Sequence, residues 1–241
     1  MDYLALSKDD GFQKWFDYQP KDLQISKYKN VDGKTIVTAL KILDVYNAFS
    51  NARFSFLSAG QDDCGKLCEK NDAGKLFVKA HFLIVAIMEY NICWDLSMQV
   101  IWAYMHDKSY EELTKGDFLK FEKSCKGKTF EGKMSNAIKK GRSDLKKVKR
   151  LYEKYNKKTP VKDINKLCNY IKHNGTLYFT EFDDNFEKMY RSVNYKAINS
   201  LPRISYSFSD IEDKLFEFHN VFQRYFNKLI EMVIPSDYFD K

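Results

Sequence analysis

Helix breakers are scarce in this chain. Its 241 residues hold only 4 Pro and 10 Gly, which excludes collagen-like and low-complexity classes and leaves long helices uninterrupted. Cysteine is scarce too, and odd in number: Cys64, Cys68, Cys93, Cys125 and Cys168 make no disulfide framework. Cys64 and Cys68 stand four apart, but no second Cys or His pair follows at zinc-site spacing, so neither a metal nor a cofactor is expected. The opening MDYLALSKDDGFQKWF lacks a basic start followed by an apolar run, and the expectation is an unsecreted, cytoplasmic protein. A glycine-rich phosphate loop, a GxSxG elbow and an HExxH helix are all missing, which sets those nucleotide-binding, hydrolase and metalloprotease classes aside.

Large side chains are plentiful: 19 Phe, 16 Tyr and 3 Trp can fill a substantial core, and the length suits one domain spanning 1–241. The longest apolar stretch, HFLIVAIMEYNICWDLSMQVIWAYM from His81 to Met105, is interrupted by Glu89, Asn91, Asp95 and Gln99. It reads as a buried bundle helix with no membrane role. The net charge of +7 is unevenly spread, because 14 Lys/Arg face 4 Asp/Glu between Lys126 and Asp163, leaving that stretch at +10 and the remainder at −3.

Apolar residues recurring every three to four positions predict an all-α, up-and-down helical bundle. After an irregular arm over 1–33, a first helix starts at Asp32-Gly33 with Ile36, Leu40, Leu43 and Tyr46 facing inward. A central helix over 75–106 follows, then a short helix within GDFLKFEKSC. The basic stretch places Leu145, Val148, Tyr152 and Tyr155 at helical spacing behind a Ser143 N-cap, so its lysines face outward. Thr159-Pro160 starts the next helix and Asn174-Gly175 ends it. The pieces TLYFT and ISYSF alternate as strands do, which predicts a small hairpin or extended segment around 176–208. In the last helix Ser209 and Glu212 form a capping-box pattern, and Ile211, Leu215, Phe218, Phe222, Tyr225 and Leu229 make an inward stripe until Pro235.

Four histidines can be weighed one at a time. His81 opens the apolar helix and His106 closes it, while His219 sits beside the core stripe of the last helix, half-buried among aromatics; none of these is assigned a role. His173 differs in its neighbours. At 100° per residue, Lys162, Lys166, Asn169 and His173 share one narrow face, opposite Ile164, Leu167, Cys168 and Ile171. An imidazole, an amide and ammonium groups together are the parts of phosphodiester chemistry: a proton carrier, a phosphate holder and a charge to offset the transition state. Any solvated helix shows a polar stripe opposite its packing face, and periodicity alone favours that plain reading.

The stretch NKLCNYIKHNGTL, with Asn169 four residues before His173 near a helix end, resembles the signature of the HEPN superfamily: Arg, a polar residue that is often Asn, three variable residues, then His. The variable residues here are Tyr170, Ile171 and Lys172, and the arginine position holds Cys168. The resemblance spans roughly Lys75 to Val233, with Glu89 or Asp95 as the acidic residue of an earlier long helix. It implies an all-helical homodimer with two motif copies at the cleft. Many such proteins are metal-independent ribonucleases of toxin–antitoxin, phage-defence or RNA-processing systems; others are inactive and bind a protein or nucleic acid. Under that implication His173 is the general acid or base, Asn169 its positioning partner, and Lys166 or Lys172 a substitute cation that lacks the planar fork of arginine. A partner protein such as an antitoxin belongs to the same set of expectations.

The basic stretch fits RNA as a partner, since clustered Lys and Arg on a helix neutralise phosphates, with Lys146, Lys147, Arg150 and Lys154 as the contact residues. Tyr152, Tyr155 and Tyr170 are the candidates for stacking on bases, although the first two also fit the core stripe.

Overall fold

The computed structural model describes residues 3–20, 31–61, 72–105, 116, 125, 127–182 and 204–238. Cys64, Cys68, His106 and nearly all of the short helix expected in GDFLKFEKSC lie outside them. The described chain is an all-α bundle of seven helices: α1 (Tyr3–Lys8), α2 (Gly33–Ala59), α3 (Asp72–Met105), α4 (Gly127–Lys139), α5 (Leu145–Asn156), α6 (Thr159–Asn174) and α7 (Phe208–Val233). The long helices α3 and α7 form its middle, with α2 packed along α3, α6 against both, and α5 against α7.

Asp32 caps α2, its carboxylate accepting from the Lys34 amide, but a face other than the expected one turns inward. Val37, Ala39, Ile42, Val45, Ala48, Phe49, Ala52 and Phe56 are buried, whereas Leu40 is exposed and Ile36, Leu43 and Tyr46 are half-buried. The start of α2 is apolar on several sides, so spacing alone does not choose a face. Packing along α3 and against the arm makes the choice.

The described part of the N-terminal arm, residues 3–20, is not irregular. It forms α1 and a 3-10 helix over Gln13–Tyr18, and Trp15 is fully buried against Phe49, Phe222 and Phe226, the last ring centroid 4.7 Å away. The Trp15 indole donates to Asn227 Oδ1 at 2.6 Å, and Arg53 donates to the carbonyls of Leu6 and Ser7. Close packing at the far end leaves Gly60 no room for a side chain, since a Cβ there would lie 2.6 Å from the Tyr3 ring. Short-range pattern in the arm is weak, and only these partners elsewhere in the chain make it helical.

Within α3, Leu83, Ala86, Ile87, Tyr90, Trp94 and Ile101 face the core, while Phe77, Met88 and Ile92 remain exposed on the other side. Burial of this helix is one-sided. It is the one described helix long and apolar enough to cross a membrane, and 39% of its most apolar window is buried inside the protein.

Two capping assignments shift by a residue or two. Asp144, and not Ser143, precedes α5, and its carboxylate is engaged by Arg142 at 2.9 Å. Ser207 and Asp210 form the capping box of α7, two residues before the expected pair. Glu212 instead turns inward, where it accepts from Tyr3 Oη at 2.8 Å and pairs with Lys79. The inward stripes of α5, α6 and α7 stand as read from spacing, with Leu145, Val148, Tyr152, Tyr155, Ile164, Leu167, Cys168, Ile171 and all six stripe residues of α7 buried.

The two strand-like pieces do pair, as β1 (Tyr178–Phe179) and β2 (Ser205–Tyr206), but in parallel, with Tyr178 opposite Ser205 and Phe179 opposite Tyr206. A hairpin is antiparallel with a tight turn, so the hairpin alternative is corrected. Chain from 180 to 204 intervenes, and a parallel pair requires such a crossover.

Candidate functional site

Helix α6 carries the HEPN-like stretch. Pro160 sits in its first turn, where the missing N–H costs nothing, and Gly175 ends it with φ of +97°, a conformation that side-chain-bearing residues rarely adopt. The packing face holds Cys168 in the core. Burial pushes its thiol pKa up, Lys172 one turn on offsets part of that rise, and Asp95 adds to it. Glu89, the other acidic candidate, shows no such link, and its own carboxyl is raised by burial.

The opposite face points to solvent. Lys162, Lys166, Asn169 and His173 are all exposed there, as their spacing predicts, and Lys172 is exposed on the flank beside Cys168. The Asn169 amide donates to Asn165 Oδ1 at 3.1 Å, so the two amides form a ladder along the helix. His173 has no hydrogen-bond partner among the described residues. A single subunit brings Asn169 and His173 onto one stripe but sets no described wall opposite them. No three His, Cys, Asp or Glu side chains converge as metal ligands among the described residues.

Lys146, Lys147, Arg150 and Lys154 are exposed on α5, joined by Lys157 just beyond its end and by Lys133, Lys139 and Lys140 on and after α4. The local acids are largely occupied elsewhere. Asp144 holds Arg142, whose guanidinium keeps that carboxyl down at about 2; Glu153 pairs with Lys149, and Asp163 with Lys214. The cations on the open face therefore have no acidic partner among the described residues. The expected stacking platform is absent at two of its three positions. Tyr152 packs on Trp94 at 5.8 Å and burial pushes its phenol up to about 12, while Tyr155 lies against Tyr225. Tyr170 is half-buried on α6, packed against the core.

A second constellation escaped the sequence reading. His219 is fully buried, with Nε2 2.9 Å from Asp9 Oδ2 and Nδ1 2.8 Å from Tyr90 Oη. Asp9 also accepts from Gln223 and from the Gly11 amide. The hydrogen bond from His219 holds the Asp9 carboxyl well below its usual range, and burial lowers the His219 pKa. A carboxylate can only accept, so the Nε2 of neutral His219 donates to Asp9, which leaves Nδ1 to accept from the Tyr90 hydroxyl. With no solvent contact at His219, this chain of bonds fastens the arm to α3 and α7 and offers no access to a substrate. A separation of 210 residues between Asp9 and His219 left no local signal for it.

The described residues form an all-α bundle with one closed polar network, an exposed basic stripe on α5 and an exposed histidine-bearing stripe on the adjoining α6. Compared with protein-family models, with curated proteins and with solved structures, the chain matches none of them.

Proposed function

We propose that this protein is a cytoplasmic, HEPN-like helical module that binds RNA through the α4–α5–α6 face. The observation that carries the reading is the set of exposed cations, Lys146, Lys147, Arg150, Lys154 and their neighbours, without acidic partners among the described residues. Uncompensated lysines on adjoining helices gain most from an extended polyanion, because each phosphate neutralised releases counterions. Charge reversal at Lys146, Lys147 and Arg150 tests this: RNA affinity falls and its salt dependence flattens. Unchanged affinity removes the proposal.

Metal-independent RNA cleavage is the second reading, favoured by Asn169 and His173 lying one turn apart on one outward stripe. In it His173 moves the proton between the attacking 2′-hydroxyl and the leaving oxygen, Asn169 holds the phosphate, and Lys166 or Lys172 offsets charge. A homodimer supplies the facing wall, and toxin–antitoxin or phage defence is the setting that suits such an activity. Buried Cys168 at the arginine position supports the binding module over the nuclease, since an inward thiol offers nothing to a phosphate. Incubating labelled RNA in EDTA with the parent and with His173→Ala separates the two. Cleavage by the parent alone, with 2′,3′-cyclic phosphate ends, establishes the nuclease; binding without cleavage by either establishes the module.

A further inference from the structure

We infer that the ligand of the basic face is double-stranded RNA, recognised through its backbone; this rests on the RNA-binding reading above. Proteins that hold single strands combine cations with exposed aromatic rings on which unpaired bases stack. Here the rings are elsewhere. Phe130 of α4 and Tyr152 and Tyr155 of α5 are buried, and Tyr170 of α6 is half-buried against the core. Among the described residues the exposed aromatics Phe16, Phe54 and Phe77 belong to the arm, α2 and α3. Among the described residues a single strand on the basic face meets charge without a surface for its bases.

A duplex presents no unstacked bases and needs none of those rings. What it presents is two phosphate rows and, in RNA, 2′-hydroxyls that both donate and accept across a wide, shallow groove. The face offers groups for each. Lys146, Arg150 and Lys154 recur every four residues, a rise of about 6 Å per step along α5. On α6, Lys162 and Lys166 are interleaved with the exposed amides Asn165 and Asn169, which are hydrogen-bonded to one another. Amides beside ammonium groups suit hydroxyls beside phosphates. The short, convex helices lack an array of Arg, Asn and Gln at one groove-reading edge, so recognition follows shape and carries little sequence information.

The test uses the full chain and fluorescence anisotropy with three probes: an RNA duplex of about 20 base pairs, one of its strands alone, and the DNA duplex of the same sequence. Affinity for the RNA duplex exceeds the other two by about tenfold or more. Lys146→Gln with Arg150→Gln flattens the slope of log affinity against log salt by about 2, and Lys154→Gln with Lys157→Gln does the same from neighbouring positions. Circular dichroism matching the parent keeps either pair interpretable. Single-strand binding as tight as duplex binding overturns the inference and leaves the RNA-binding reading standing. Equal affinity for the DNA duplex overturns the role given to the 2′-hydroxyls. No binding to any probe at about 50 mM salt overturns both the inference and the reading beneath it.

Discussion

His219 and His173 are the same side chain in opposite situations. His219 is enclosed, with Asp9 on one nitrogen and Tyr90 on the other, and every partner in that chain of bonds is itself held. His173 stands at an exposed helix end beside lysines and amides, without a partner among the described residues. The pairing of polar groups, and not their identity, separates the two regions. Saturated bonds away from water fasten structure, because breaking one leaves an unsatisfied buried group, whereas exposed and unpaired groups are available to a ligand.

The contrast is broken most severely at the closed end. Trp15→Ala removes a ring packed among Phe49, Phe222 and Phe226 and an indole bonded to Asn227, and costs about 3 to 5 kcal/mol. Urea titration then shows a lower midpoint at an unchanged slope. His219→Leu leaves the Tyr90 hydroxyl and one Asp9 oxygen without their partner and costs about 1 to 3 kcal/mol in the same assay, with Trp15 left in place.

Acid sharpens the comparison. The folded state holds His219 neutral, below its ordinary pKa, so the unfolded chain takes up a proton there first as pH falls through about 6.5. Asp9 is also depressed, so its contribution is complete above about 3.9 and is lost as pH falls further. Both shifts have the same sign: stability declines on acidification, with His219 acting first. Unfolding free energy measured at pH 7 and pH 5 falls less for His219→Leu than for the parent. An equal fall in both removes His219 as the source.

At the open face the expected changes in stability are smallest. His173→Ala and Lys146→Gln each alter unfolding free energy by less than about 0.5 kcal/mol, since neither side chain is buried or paired. A loss of about 2 kcal/mol at either position, read in the same urea titration, would show that the open face is structural after all.

Legibility followed the range of the interactions. The stripes of α5, α6 and α7 were readable because helical periodicity and a polar background mark one side unambiguously, and Gly175 marked a helix end by the backbone angle it permits. The inward face of α2 was not, because apolar residues surround its first turns and packing along α3 makes the choice. The basic and histidine stripes of α5 and α6 were legible as faces, but the burial of Tyr152 and Tyr155 in place of a stacking role depended on Trp94 and Tyr225, far away in the chain. The arm carried two partners of the core, Asp9 and Trp15, within a segment whose own pattern is silent.

Local sequence by itself determined that the chain is helical, where most helices start and stop, and that its positive charge gathers on α4, α5 and α6, since propensity, capping and charge act over a few residues. Tertiary structure alone decided which histidine is closed and which is open, which face of α2 and α3 is covered, and that the two short strands run parallel. Those outcomes depend on groups brought together from opposite ends of the chain, and no short-range pattern encodes which of them will meet.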